Sequence, residues 1–190
     1  MARTRTSARN EIFEMLKEDH KRAKKAFRDF AKLDEEGDTQ ACEALAARTC
    51  KELQLHMRLE EDVFYPAARA GLKEEDLVEE AEVEHGSAKA LIEKMQALSG
   101  DDPKFAATFT VLGEYIKHHV KEEENEMFEQ LGRAKVDWEG VLEEMLAHRM
   151  ELEAELGLAA EDAEDEAAAD LALAARQAQG RTQAKAARRA

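Results

Sequence analysis

The chain has 190 residues, with 43 Asp or Glu against 28 Lys or Arg for a net charge of −15, and only two Pro and nine Gly. Such a length holds one domain with a buried core plus a tail, and abundant Ala, Leu, Glu and Lys predict an all-α fold. No apolar run approaches the ~18 residues that span a bilayer and no secretory segment follows Met1, so a cytoplasmic protein with no membrane role is expected.

Residues 1–7 form a basic tail, and the stripe Ile12, Leu16, Ala23, Phe27 and Phe30 predicts a first helix from about Ser7 to Leu33. Glu35-Glu36-Gly37 breaks it, and Asp38 suits the N-cap of a second helix. That helix is expected to reach about Arg69, interrupted near Pro66 and closed by Gly71. It carries Cys42 and Cys50, which lie too far apart along it for a disulfide and are expected as half-buried thiols in a reducing compartment. A third helix covers about Glu74 to Leu98. A fourth should open with Asp102 as N-cap and Pro103 at the first helical position. It continues through Phe105, Phe109, Leu112, Ile116, His119, Glu123, Met127 and Leu131 to Gly132.

Short connections make these four helices antiparallel neighbours, an up-down-up-down bundle over residues 8–133. Residues 134–157 hold an additional amphipathic helix with Val141, Leu142, Met145, Leu146 and Leu152, packed across the bundle or facing a partner. The Ala-rich residues 158–190 retain few large apolar side chains and are expected to be frayed or disordered. Charge is uneven along this plan. Arg3, Arg5 and Arg9 at one end and Arg181, Lys185, Arg188 and Arg189 at the other are expected on solvated tails, and without them residues 11–180 carry −22. A core that acidic repels polyanions, so it is expected to bind no nucleic acid.

One constellation occurs twice. His20 precedes His56-x3-Glu60 by 36 residues, and His85 precedes His119-x3-Glu123 by 34. His20-Lys-Arg-Ala23-Lys24 also matches His85-Gly-Ser-Ala88-Lys89, and Glu60-Glu61-Asp62 matches Glu123-Glu124-Asn125. A His and a Glu four apart share one helix face. Counting at ~1.5 Å per residue from the predicted helix ends puts all six residues in one slab of the bundle. His119 and Glu123 fall on the stripe that Leu112, Ile116 and Met127 make the inward face. A buried carboxylate costs several kcal/mol unless paired or coordinated, and two of them beside imidazoles call for a cation. Mixed imidazole and carboxylate ligation suits iron, manganese or zinc, and two Glu allow bridging between two ions. A single His-x3-Glu in so Glu-rich a helix would be an ordinary surface pair; the duplication makes it a metal motif.

The order His, His-x3-Glu, His, His-x3-Glu resembles the hemerythrin-like, or HHE cation-binding, domain over roughly residues 8 to 133. The stretch His56-Met-Arg-Leu-Glu-Glu-Asp-Val-Phe-Tyr-Pro66 is similar to that family's second-helix signature, and His118-His119-Val-Lys-Glu-Glu-Glu124 to its fourth. The resemblance implies two non-haem iron ions, with His20, His56, Glu60, His85, His119 and Glu123 as ligands and the Glu residues bridging. Oxygen-carrying hemerythrins have a second His on the third helix and an Asp on the fourth. Here Ala81 and Lys89 flank His85 at one turn, and the fourth-helix carboxylate is Glu123. With four His, the resemblance points away from reversible oxygen storage.

The expected function is therefore a di-iron protein that binds or reacts with a small diatomic or peroxide ligand: O2, NO or H2O2. The alternatives are an iron, oxygen or redox sensor signalling through the C-terminal helix and tail, or iron storage and buffering. No Ser/His/Asp or Cys/His constellation offers an organic nucleophile, and oligomeric state is not readable. His118, which pairs in sequence with Glu122, is assigned to the flank, and Glu82 to solvent. Tyr115 is either a hydrogen-bond donor behind His119 or a cover on the core, and His148 is expected at the surface. Phe27, Phe64, Met95, Met127 and Phe128 are expected as core.

Overall fold

The computed structural model describes residues 5–72 and 76–160. Helix α1 (Arg5–Glu36) ends at Gly37, whose φ of 74° is the left-handed conformation that closes helices and that glycine adopts without strain. Helix α2 (Thr39–Leu59) follows at once, with the Asp38 side chain accepting from the Ala41 N–H as the sequence suggested. A π-turn (Glu60–Phe64) joins α2 to α3 (Tyr65–Gly71). Helices α4 (Asp76–Gln96) and α5 (Phe105–Glu122) come next, and a second π-turn (Glu123–Met127) leads into α6 (Phe128–Leu131). Helix α7 runs from Trp138 to Leu156. The chain divides into two compact units, Met1–Leu152 and Glu153–Ala190. The first is an all-α bundle in which α1 pairs with α2, α4 with α5, α1 with α5 and α2 with α4.

Two boundaries differ from expectation. The second helix is interrupted near Pro66, but not by the proline itself. Its irregularity is the π-turn just upstream, and Pro66 sits in the first turn of α3, where a missing N–H is tolerated. The fourth helix starts at Phe105 rather than Pro103. The Asp102 carboxylate instead accepts the Lys104 N–H at 2.8 Å and its carbonyl the Phe105 N–H at 2.9 Å, making a separate turn ahead of the helix. Cys42 and Cys50 are fully buried rather than half-buried, and burial raises both thiol pKa values, Cys50 to about 11. The expected fraying of the tail falls almost wholly outside the described residues.

Two apolar layers sandwich the His/Glu slab. On one side Phe30, Leu53, Met57, Ile92, Phe109, Leu112, Ile116 and Val120 form a continuous core, with Phe27 half-buried against it. Gly113 of α5 lets Phe27 approach closely, for a Cβ there would lie 2.8 Å from its ring. On the other side Phe13 stacks on Phe128 at 4.6 Å and meets Phe64 and Trp138 edge-on at 6.3 and 5.8 Å. Trp138 thus anchors α7 on α1. Along α7, Leu142, Met145 and Leu152 are buried, while Leu146 is exposed. Among the described residues no helix is long and apolar enough to cross a membrane.

Candidate metal centre

Helices α1, α2, α4 and α5 each carry one His on the inward stripe, and none of the four is more than 5 % exposed. Glu60 and Glu123, which open the two π-turns, are 0 % and 2 % exposed. The ring Nε2 atoms converge in pairs, His20 with His56 at 3.2 Å and His85 with His119 at 3.2 Å. Glu60 Oε2 lies 3.2 Å from His56 Nε2 and 3.4 Å from His85 Nε2, and Glu123 Oε2 lies 3.2 Å from His20 Nε2. Two groups result, His20, His56, Glu60 and Glu123, and then Glu60, His85 and His119, with donor atoms within 4.8 Å of one another in each. All six residues singled out from the sequence meet here. Glu60 is common to both groups, whereas Glu123 joins only the first at that distance.

The outward nitrogens are organised just as regularly. His20 Nδ1 faces Glu124 at 2.8 Å, His56 Nδ1 faces Asp19 at 3.3 Å, His85 Nδ1 faces Glu61 at 2.9 Å and His119 Nδ1 faces Glu84 at 3.0 Å. A carboxylate at Nδ1 keeps the proton there and turns the Nε2 lone pair inward, the tautomer a cation needs. Cations stand behind most of these carboxylates. Lys24 is 3.4 Å from Glu124, Lys89 bonds Glu61, and Arg22 and Arg149 both bond Asp19. These four carboxylates were not assigned a role from the sequence. Their signal is nonetheless periodic, since an acid precedes each lone His (Asp19, Glu84) and follows each inward Glu (Glu61, Glu124).

The π-turns set this geometry. Each adds one residue to a helical turn, so that the Tyr65 N–H reaches the Glu60 carbonyl and the Phe128 N–H the Glu123 carbonyl. The residue five after each inward Glu, rather than four, then lies over a His ring. Tyr65 stacks on His85 with centroids 5.4 Å apart, and Phe128 on His20 at 6.4 Å. The Tyr65 hydroxyl lies 3.5 Å from Glu60 Oε2 and 3.3 Å from His85 Nε2.

Charge balance shows what the slab lacks. Burial, reinforced by Glu123, raises Glu60 well above the usual carboxylate range. Burial pushes Glu123 the same way, but His20 outweighs it and holds Glu123 at about 2. Burial lowers His20, yet Glu123 and Glu124 more than reverse this and raise it, while burial lowers His56 to about 4 and also lowers His85. For Asp19, burial is overcome by His56 and Arg149, which keep it well below the usual range. Glu60 Oε1 and both Glu123 oxygens have no hydrogen-bond partner. Glu123 Oε2 has the 3.2 Å charge contact of His20 Nε2, which lacks the geometry of a hydrogen bond. Orphaned buried polar atoms cost about 1–3 kcal/mol each. Four inward lone pairs and two buried carboxylates fit cations, and the raised Glu60 and His20 hold protons where cations would sit.

The remaining residues fall as follows. His118 is exposed and pairs with Glu122 at 3.4 Å and Glu84 at 3.6 Å. Glu82 bonds Arg69 at 2.7 Å, away from the slab. Tyr115 is exposed, so it neither donates to the site nor covers the core. His148, expected at the surface because no carboxylate stands four residues after it on α7, is half-buried and reaches Asp62 in the first π-turn at 2.9 Å and Glu151 at 3.6 Å.

Fold and site together define a helical-bundle protein in which a duplicated His and Glu set could hold metal cations. The Hemerythrin HHE cation binding domain model matches residues 11–131, and the chain belongs to that family. It is also similar to a hemerythrin HHE cation-binding domain-containing protein of Mycobacterium kansasii, whose crystal structure superposes with a TM-score of 0.60 at 24 % identity, over 75 % of this chain and 87 % of that one. That likeness supports the fold. A DNA nickase of Nostoc sp. is 30 % identical over 99 residues, 52 % of this chain and 28 % of the relative, so the chain spans little more than a quarter of that protein.

Proposed function

We propose that residues 8–133 bind two iron ions and present them to a small ligand, O2, NO or peroxide. One ion would be held by His20, His56, Glu60 and Glu123, the other by His85, His119 and the shared Glu60. The imidazole and carboxylate donors suit iron, with manganese or zinc as substitutes. When bound, iron supplies the redox chemistry and the open coordination positions for the ligand.

The observation carrying the ligand class is a cavity of about 20 Å³ on the core side of the slab. Its wall includes all four His together with Leu53, Met57, Ile116 and Val120. One water needs roughly 10–15 Å³, so this space takes one water or a two-atom molecule, and an organic substrate does not fit. The chain's own part is to hold the imidazoles in one tautomer through Asp19, Glu61, Glu84 and Glu124, and to keep bulk water out with the two apolar layers. The test is metal analysis and absorption of protein purified in air, beside His119→Ala, followed by titration with O2, NO and peroxide. About two irons per chain, with near-ultraviolet charge-transfer absorption weakened in the variant, supports the reading. Absence of stoichiometric metal after iron reconstitution sinks it.

A sensor is the second reading, favoured by Arg149. This α7 residue bonds Asp19, which in turn holds His56. Metal occupancy would then be felt in α7. Hydrogen exchange of α7 with and without iron tests this, and equal protection in both states argues for the first reading alone.

A further inference from the structure

The second half of the repeat carries a polar cluster that the first half lacks. His118 Nε2 lies 3.4 Å from Glu122 Oε1 and 3.6 Å from Glu84 Oε1, and the three donor groups fall within 4.8 Å of one another. By the 63-residue offset that relates His56 to His119, the twin positions of His118 and Glu122 are Leu55 and Leu59, both buried. The cluster is therefore no consequence of duplication; it is specific to the α4–α5 side.

A cavity lies between two of its members, Glu84 and Glu122, and the interior. Glu80, Glu84 and Glu122 line this cavity together with His119 and the buried Glu123, whose two oxygens have no hydrogen-bond partner. Its volume is about 10 Å³, at the lower limit for a single water and too small for a chelated metal. The other cavity, against the apolar core, has the cationic Arg22 and a single carboxylate, Glu52, among its more exposed lining residues. A rim of three carboxylates concentrates cations and one holding a guanidinium does not. Glu84 links surface to interior directly, since one of its oxygens faces His118 and the other His119 Nδ1 at 3.0 Å.

We infer that Glu84, His118 and Glu122 form a third, surface divalent-cation site that captures metal and passes it inward beside His119 to the buried centre. This rests on the reading that the buried centre binds metal. Capture requires shedding water in exchange for two carboxylate oxygens and one imidazole nitrogen, a mixed set that suits Fe2+, Co2+ and Mn2+. Transfer then needs only a swing of the Glu84 carboxylate, with Glu123 as the unpartnered acceptor ahead.

The test uses the full-length, metal-free protein and Co2+ at limiting concentration, followed by its visible absorption, in wild type and in the His118→Ala, Glu122→Gln double variant. Neither residue belongs to the buried set. The proposal expects uptake slowed about tenfold in the variant, as the loss of local cation focusing implies, with unchanged final stoichiometry and spectrum. Mn2+ should also broaden the His118 ring resonances of wild type reversibly before the buried centre fills. Equal uptake rates in the two proteins, or no broadening at His118, overturn the surface site while leaving the buried centre intact. If wild type takes up no Co2+ at all, the buried centre fails and the loading role falls with it.

Discussion

The half-sites built around His20 with His56 and around His85 with His119 are twins on one axis and strangers on another. Where helices α1 and α4 contribute, the halves match residue for residue: His20–Glu124–Lys24 repeats as His85–Glu61–Lys89. Where α2 and α5 contribute, they diverge. His56 leans on Asp19, a carboxylate 8 % exposed and clasped by Arg22 and Arg149, while His119 leans on Glu84, whose other partner is the exposed His118. Phe128 covers His20 and Tyr65 covers His85, so of the two rings only Tyr65 brings a hydroxyl to the inward donor atoms. Duplication conserves what a cation demands, namely the inward nitrogen and its tautomer. It leaves free what distinguishes one half from the other. The first half is clasped by α7 through Arg149; the second extends through Glu84 to the exposed His118.

The largest effect should come from the residue the halves share. Glu60→Ala is expected to take metal content from about two ions per chain to almost none, while His119→Ala removes mainly the second ion, because only Glu60 stands in both groups. Metal analysis of the two variants after identical reconstitution decides it. Equal losses would mean that the halves do not fill separately.

Acid should separate the halves next. His20 is raised by Glu123 and Glu124 whereas burial lowers His85, so a cation entering beside His20 displaces a ring proton more often than one entering beside His85. Glu60, raised above its usual range, gives up its proton to either. Affinity therefore falls as pH falls, by about tenfold per pH unit for each proton displaced, and more steeply for the first half. Zn2+ binding followed by calorimetry in buffers of different ionisation enthalpy counts those protons. An equal count for both ions contradicts the asymmetry.

The sequence makes the inner ring of this site legible and hides most of the outer one. His20, His56, Glu60, His85, His119 and Glu123 stand out because the same spacing appears twice and buried carboxylates want cations. The bundle is legible because stripes such as Leu112, Ile116 and Met127 point one way. The π-turns are not, since an i→i+5 hydrogen bond needs no marker residue, and Pro66 draws attention to the wrong turn. Nor is the α7 clasp: Arg149 meets Asp19 across 130 positions, with no periodicity to announce it. His148 misleads for the same reason, its partner Asp62 lying on another element.

That clasp supplies the third prediction. Glu84→Gln should weaken metal binding about 10–100-fold in the second half only, the range seen when an outer partner of a ligating His is removed. Arg149→Ala should weaken the first half only, and by less, because it acts on His56 through Asp19. Competition with a chelator of known affinity reads both, and a loss spread evenly over the two ions would show that the halves are coupled rather than separate.

Tyr65→Phe makes the second half resemble the first, where Phe128 occupies the equivalent place. A buried hydroxyl with acceptors at 3.3 and 3.5 Å contributes about 0.5–1.5 kcal/mol, so a stability loss of that order is expected in the metal-free protein. The spectrum of the metal-loaded protein should change as the two ions become more alike. Denaturant unfolding and absorption measure the two consequences independently, and an unaltered spectrum would deny the hydroxyl any influence on the second ion.

The smallest effects should come from the part of the comparison that is symmetrical. Lys24 and Lys89 stand four residues after His20 and His85, each behind the carboxylate that holds its ring, and their side chains are 38 % and 42 % exposed. Ion pairs that reach water contribute at most about 1 kcal/mol, because solvent screens them and ordering a lysine costs entropy. Glu124 and Glu61 keep their hydrogen bonds to the rings whether or not a lysine stands behind them. Lys24→Met and Lys89→Met should therefore each weaken one ion by no more than about fivefold, in equal measure and in opposite halves. Unequal effects from these two residues would be more informative than any large loss elsewhere, since they would show that the asymmetry reaches into positions where the partner residues are the same.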